Sequence, residues 1–282
     1  MFANDFIAPT ELPQACSLLA KEMSQAVILA GGTNLMARFN RRRPRRKVMI
    51  VYLGKLGLDH IRVRSGRVIV GACANLADIA ASEEIRSYLP LLGQTCAEMA
   101  CPAVRSAATL GGNVANGARN ADGIAALIAL GARVVVASAA GENKMPIEQF
   151  VISPKIETLK NGGLIKEFEI PALGADEKWG WMKLKQRRGE GRSIVSVAVR
   201  IKMAGEVCQD VRLVLGAMAP HPLVSPAAAA MLSGKPLSPE LVDETANKAV
   251  SETSPLSDAR GSAWYKKKAA AVLVKRIFSQ LS

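Results

Sequence analysis

An α+β architecture of more than one unit is predicted, on three observations. A chain of 282 residues is long for a single compact core, so two or three packed units are expected. Apolar residues make up 49% and charged residues 22%, the balance of a soluble globular protein rather than a disordered one. Beyond residue 178, three strand-like runs are followed by three helix-like ones, which suggests an α+β unit rather than a βαβ array.

The elements follow in order. "PQACSLLAKEMS" (13–24) places Ala15, Leu18, Leu19 and Met23 at helical spacing, with Pro13 near the start. "QAVILAGG" is a short buried strand, "NLMARF" a helical turn or short helix and "KVMIVYL" another strand. "GLDHIRVRSGRVIVGACA" alternates on both sides of Ser65-Gly66, which signals a hairpin. "NLADIAASEEIRSYLPLLGQTCAEMA" reads as two helices around Pro90, with Asn75 as an N-cap. A helix from about Asp122 to Leu130 is closed by Gly131. "ARVVVAS" is a strand, "NKMPIEQF" a strand or a strand and a turn, and "GGLIKEFEIP" a strand ended by Pro171. "ALGADEK" (172–178) is a plausible linker. "KWGWMKLKQR", "SIVSVAVRIKM" and "CQDVRLVLGAMA" are the three later strands. "SPAAAAMLSG", "SPELVDETANKAVSE" and "SAWYKKKAAAVLVKRIFSQ" are the three later helices.

Several function classes are disfavoured. The longest apolar stretch, "GIAALIALGARVVVASAAG", carries Arg133 and two glycine breaks, so it reads as helix, turn and strand rather than a membrane span. The N-terminal stretch has an acid at Asp5, no basic region and an early proline; a signal peptide is not expected, and a cytoplasmic location is. Cysteines 16, 73, 96, 101 and 208 are scattered, form no CxxC and read as small buried hydrophobes. With two histidines and no HExxH, the chain has no ligand set for a zinc site or an iron–sulfur cluster of its own. The formal net charge is +13, which fits nucleic acid, or equally an anionic cofactor with acidic partner subunits. "RFNRRRPRRK" (38–47) holds seven basic residues and no acid, but Pro44 breaks it. It is either a solvated loop or a docking surface for an acidic partner.

Two segments carry chemistry. "ILAGGTNLMARF" (28–39) and "SAATLGGNVANGARNADGIAALIAL" (106–130) each hold a glycine pair with a hydroxyl and an amide side chain beside it. Each pair is read as following a strand-like run and preceding a helical one. Glycine admits positive φ and close approach to the backbone. N–H groups at a helix start lack intrahelical partners and favour phosphate. Thr33, Asn34, Thr109 and Asn113 add neutral donors, so two such turns could grip one pyrophosphate from both sides. Neither is a Rossmann fingerprint: "GEGRSI" (189–194) lacks the third glycine, and no Walker sequence is present.

"AGGTNLM" (30–36) and "TLGGNVANGARNAD" (109–122) closely resemble the two flavin-binding loops of the FAD-binding, or medium, subunit of molybdenum hydroxylases. That family includes the xanthine dehydrogenase and carbon monoxide dehydrogenase flavoprotein subunits. The resemblance runs through "GGLIKEFEIP", "MKLKQRR" and "SIVSVAV" to "DARGSAWYKKKAAAVL", and so covers nearly the whole chain. It implies a PCMH-type FAD-binding domain at 1–173, in subdomains of about 1–55 and 56–173, like the vanillyl-alcohol-oxidase/CO-dehydrogenase flavoproteins. A C-terminal α+β domain at 174–282 would follow. It further implies a first pyrophosphate loop of Ala30, Gly31, Gly32, Thr33, Asn34 and Leu35, and a second of Thr109, Gly111, Gly112 and Asn113. Asp122 matches an acid at the ribityl region, and is also placed to cap the following helix. Leu164 and Ile165 match apolar residues against the isoalloxazine, and Lys183 a lysine near its pyrimidine edge. A solvated strand position is the alternative for Lys183.

The implied activity is that of an FAD-dependent oxidoreductase subunit of the xanthine dehydrogenase type, needing no side chain as an essential acid or base. Molybdopterin is expected on a large partner subunit and [2Fe–2S] clusters on a small one, with electrons passing through FAD to NAD or another acceptor. Arg119 stands where many relatives have proline, and Gly163 where many have an acid. The alternatives are a free-standing FAD-dependent oxidoreductase and a basic nucleic-acid-binding protein; aromatics at only 4% disfavour the second.

Overall fold

The computed structural model describes residues 5–22, 24–42, 44, 45, 47–152, 159 and 162–282. Met23, and Arg43 and Arg46 of the basic run, lie outside the described residues. The described chain forms three sheets, each with its own hydrophobic core.

The first sheet is three-stranded and parallel, in the order β1 (Asp5–Ile7), β3 (Met49–Tyr52), β2 (Ala26–Leu29). Parallel neighbours need crossovers, and helices α1 (Leu12–Lys21) and α2 (Leu35–Arg41) supply them. The face of α1 carrying Ala15, Cys16 and Leu19 packs with Val51 and Leu53. β1 falls in a stretch where the sequence shows no strand signal: three residues are too few for a period.

The second sheet is antiparallel, in the order β4 (Ile61–Arg64), β5 (Arg67–Gly71), β8 (Leu164–Pro171), β6 (Arg133–Ser138), β7 (Gly141–Pro146). Ser65 and Gly66 both take positive φ (48° and 70°), as a two-residue hairpin of matching twist requires. The 75–99 segment forms three helices rather than two: α3 (Leu76–Ala81), α4 (Glu83–Tyr88) and α5 (Pro90–Glu98). Ser82 makes the extra break, because it ends α3 in an extended conformation and its hydroxyl accepts from Ile85 N to begin α4. "IEQF" is helical as well, within α9 (Ile147–Ile152).

The short helix α6 (Pro102–Arg105) leads to α7 (Leu110–Asn116), so the second glycine pair does not follow a strand; it lies inside α7. α7 ends at Gly117 in the left-handed region (φ 55°). Helix α8 (Asp122–Ala129) comes next, and every one of its residues is buried.

The third sheet is an antiparallel meander, β9 (Glu177–Leu184), β10 (Val195–Ala204), β11 (Val207–Gly216) and β12 (Leu223–Val224). Both of its faces are covered. Trp181, Ala198 and Val214 join the core of the second sheet, while Val197, Val199, Leu213 and Leu215 face the C-terminal helices. Those helices are α10 (Pro226–Leu232), α11 (Pro239–Ser251) and α12 (Ala263–Leu281), the last two capped by Ser238 and Ser262.

α8 packs on β10 and β11 on one side and on α5 and α7 on the other. A helix that is apolar all round is one enclosed on every side, and this one sits between two layers. Phe168, on the central strand β8, is fully buried in the same core. Phe168→Ala should therefore lower unfolding free energy by about 3–5 kcal/mol. Val63→Ala, at an exposed position of β4, should change it by less than about 0.5 kcal/mol. Urea denaturation of the two variants checks the contrast.

Candidate functional site

A cleft of about 860 Å³ opens where the three units meet, within the roughly 300–1,000 Å³ of ordinary ligand sites. All fourteen residues singled out from the sequence line it. They come from five places: the β2–α2 loop, the start of α7, the first residue of α8, the start of β8, and β9.

The β2–α2 loop contributes Ala30, Gly31, Gly32, Thr33, Asn34 and Leu35. Its two glycines have different reasons. A Cβ on Gly31 would stand 1.8 Å from the Ala107 carbonyl oxygen, because this loop packs backbone to backbone on the segment before α7. Gly32 instead has φ 68°, the left-handed region that side chains resist. The turn leaves a run of donors: the N–H groups of Gly31, Gly32, Thr33, Asn34 and Leu35 bond nothing among the described residues. The Asn34 side chain makes no capping bond either. Successive free N–H groups in a turn form an anion-binding concavity.

The second glycine segment behaves otherwise, contrary to the expectation that its helix start offers free donors. Leu110 N donates to Ala74 O at 3.0 Å and Gly111 N to Ala72 O at 2.9 Å. Gly112 N donates to the Thr109 hydroxyl at 3.0 Å, and Asn113 N to Thr109 O at 3.0 Å. The first turn of α7 is thus satisfied by the fold. Gly111 permits this, since a Cβ there would meet Ala72 O at 2.6 Å. What α7 presents to the cleft is the Thr109 hydroxyl, whose proton remains to be donated, and the Asn113 amide. Asn113 Oδ1 is buried with no hydrogen-bond partner among the described residues. An unpaired buried polar atom beside a cleft is a group built for something that binds there.

At the far end, Asp122 is the first residue of α8 rather than its cap; the N-cap is Ala121. Its carboxylate accepts from Ser193 Oγ at 2.7 Å and from Lys183 Nζ at 3.0 Å. The Lys183 side chain is 1% exposed, so it is not a solvated strand lysine. One of its ammonium protons faces Asp122, and no second acceptor for it occurs among the described residues. Ser193 had no sequence signal: it lies just before β10 and meets Asp122 only through tertiary packing.

Leu164 and Ile165 open β8 beside a register shift between Val135 and Val136. Neighbouring strand residues point to opposite faces, and here Leu164 packs into the core of the first sheet and Ile165 into that of the second. β5 pairs with β8 only as far as Gly71↔Glu167, so residues 164 and 165 overhang that partner and can turn backbone groups toward the cleft.

Arg38, Arg187 and Arg192 also line the cleft, together with Glu190. Asp122 balances Lys183, and Glu190 pairs with Arg187 at 3.3 Å. Arg38 and Arg192 are left without ionic partners among the described residues. Arg38 belongs to the basic run, so part of that run faces the site. Neither Arg119 nor Gly163 lines the cleft; the Arg119 carbonyl accepts from Ala217 N at 2.9 Å. Burial pushes the Cys73 thiol up to about 11, with Asp59 adding to it, and the Cys96 thiol up to about 12, with Asp122 adding to it. The expectation of five buried thiols holds for Cys16, Cys96 and Cys208, whereas Cys73 and Cys101 are half-buried.

The comparisons with known proteins agree over the whole chain. Residues 2–173 match the family described as FAD binding domain in molybdopterin dehydrogenase, and residues 181–281 match the CO dehydrogenase flavoprotein C-terminal domain. The carbon monoxide dehydrogenase medium chain of Hydrogenophaga pseudoflava is 29% identical over 272 residues, covering 96% of this chain and 94% of that one. The nicotinate dehydrogenase FAD-subunit of Eubacterium barkeri is 28% identical, covering 97% and 94%. A solved structure of carbon monoxide dehydrogenase from Hydrogenophaga pseudoflava superposes with a TM-score of 0.93 at 29% identity, covering 98% and 96%. Quinoline 2-oxidoreductase from Pseudomonas putida 86 gives 0.90 at 25% identity, covering 99% and 96%.

The buried Lys183–Asp122 pair can be tested directly. Lys183→Met and Asp122→Asn should each destabilise the protein by about 3–5 kcal/mol, because each strands one buried charge. The double variant should recover a large part of that loss. Denaturation midpoints of the four proteins close the cycle, and strictly additive losses would contradict the pairing.

Proposed function

Because the chain belongs to the family of molybdopterin-dehydrogenase FAD-binding subunits, we propose that it carries electrons between iron–sulfur clusters on a partner chain and a final acceptor. It is an FAD-binding subunit of an oxidoreductase of the molybdenum hydroxylase class. The observation that carries the finer reading is the run of five unbonded N–H groups at Gly31–Leu35, in a cleft also lined by Arg38 of the adjoining helix, which has no ionic partner among the described residues. A pyrophosphate needs that donor set and that charge.

On this reading the FAD pyrophosphate lies against Gly31, Gly32, Thr33, Asn34 and Leu35. Thr109 Oγ1 and Asn113 Nδ2 would donate from the α7 side, the buried Asn113 Oδ1 is left to accept from a donor of the ligand, and Gly111 and Gly112 keep the approach open. Ala30 lines the entry to the loop. Asp122 and Lys183 flank the ribityl and pyrimidine end, and the overhanging start of β8 at Leu164 and Ile165 borders the ring. Bound FAD supplies the redox chemistry, taking electrons singly or in pairs and yielding them to a second acceptor. The residues of this chain position it and set the local charge; none is required as a general acid or base.

Molybdopterin would reside on a large partner subunit and [2Fe–2S] clusters on a small one. The relatives' names as medium chains or FAD subunits support this division. The final acceptor in this reading is NAD or another oxidant. We divide the chain into an FAD-binding part at 1–173 and a C-terminal part at 174–282. A cytoplasmic complex fits the five free cysteines, and among the described residues no helix is long and apolar enough to cross a membrane.

The purified chain should be yellow and release FAD rather than FMN on denaturation, with no stoichiometric iron or molybdenum in the isolated subunit. Gly32→Val should retain far less flavin than Gly66→Val, because both glycines have positive φ (68° and 70°) but Gly32 shapes the donor run in the cleft whereas Gly66 sits in the β4–β5 hairpin away from it. Equal flavin content in the two variants would remove the loop from the site.

A second outcome concerns charge. Lys183→Ala leaves the Asp122 carboxylate uncompensated beside the ring, so the flavin reduction potential should fall. A redox titration of flavin-loaded variant and parent measures it; an unchanged potential would place Lys183 away from the ring.

A further inference from the structure

Outside the cleft, the most prominent unexplained feature is a rigidly mounted apolar patch at the start of α12. Trp264 is 69% exposed and Leu256 61%, and Tyr265 and Val272 are exposed beside them. Trp264 and Val272 are eight residues apart on one helix face, with Lys268 between them and Arg276 beyond. Ala263 N donates to Ser257 Oγ at 2.9 Å, which holds Leu256 next to the start of the helix.

The mounting is costly. Lys266 is 1% exposed, and its ammonium donates to Leu256 O at 2.7 Å and pairs with Asp258 at 3.0 Å. Asp258 in turn accepts from Arg260 N at 2.9 Å. Taking an ammonium out of water is unfavourable unless it is fully bonded. Here that arrangement fixes a surface segment whose apolar side chains face solvent. An anchor already held in one conformation loses little entropy on docking.

The patch adjoins the cleft. Gln186 Nε2 donates to Ala259 O at 3.1 Å, and Gly261 approaches Ile194. The intervening loop supplies Arg187, Gly191 and Arg192 to the cleft wall, at the same end as Lys183. The rim of the patch is basic: Arg188 and Arg192 stand on that loop, and Lys268 and Arg276 on the helix, all exposed.

We propose that the Leu256–Trp264 patch is the docking site of the electron-donating iron–sulfur subunit, which meets it with an apolar centre and an acidic rim. The inference rests on the function proposed above and names the face at which that partner binds. Aromatic anchors at the centre and charges at the rim are the division of labour seen in specific interfaces. The basic rim calls for a negative partner and speeds encounter at low salt. Placement beside the ring end of the cleft keeps the path for single electrons short.

The test uses the native complex, isolated through a tag on this chain, with iron, molybdenum and FAD measured per chain. Trp264→Ala and Leu256→Asp should keep FAD content and denaturation midpoint, since both side chains are exposed, while iron retention falls about tenfold or more. Lys268→Glu should weaken retention mainly at low salt. Iron retained at the parental level in all three variants would overturn the proposal, as would loss of molybdenum with iron unchanged. A change in the oligomeric state of the isolated chain, with iron retained, would assign the patch to a second copy of this chain instead. A parental complex that holds FAD but no iron would overturn the proposed function as well, so the two failures are distinguishable.

Discussion

The burial of α8 is the constraint on which the molecule depends. Its eight residues are enclosed on all sides, between the second sheet's helices and the third sheet. Neither neighbour can shift without exposing Ile124, Leu127 and Ile128, whose apolar surface contributes about 1.5–3 kcal/mol per side chain. The helix thereby fixes where its first residue stands. Asp122 is delivered to the cleft, and Lys183 of β9 and Ser193 before β10 converge on it. One packed helix sets both the joint between two cores and the charge at one end of the site.

The other end is set by contact between backbones. The loop after β2 and the segment before α7 touch at Gly31 and Ala107, closer than any side chain would allow. The two glycine segments look alike as strings but divide the work. The α7 segment spends its N–H groups on residues 72–74 and on its own cap. The loop of residues 31–35 keeps its N–H groups unspent. Fold and ligand compete for the same donors, and here the competition is resolved by giving each a separate segment.

The sequence made most of this legible, and the reasons for the remainder are physical. Long alternating strands such as β10 and β11, the Ser65-Gly66 hairpin and the C-terminal helices carry strong local signals. The two glycine pairs with Thr33, Asn34, Thr109 and Asn113 are marked by local motifs, while Ala30, Leu35, Asp122, Leu164, Ile165 and Lys183 are reached through the family resemblance; all fourteen candidate residues line one cleft. β1 was missed because three residues cannot show a period, and α7 because two glycines obscure a helix held by bonds to distant carbonyls. Ser193, Arg192 and the ion pair of Lys183 were invisible because their partners are more than sixty residues away, or lie across the cleft. The division of donors between the two loops depends on where residues 72–74 fall in space, which no spacing reports.

The α7 segment's self-sufficiency bears on how such a subunit is made. Its donors are satisfied within the chain, so this half of the cleft reaches its final form during folding, with no help from a ligand. The residue 31–35 loop is positioned by its glycine contact and still has bonds to make. A ligand that takes up those bonds displaces none that the chain already makes, so its affinity at this loop is not offset by hydrogen bonds broken in the protein.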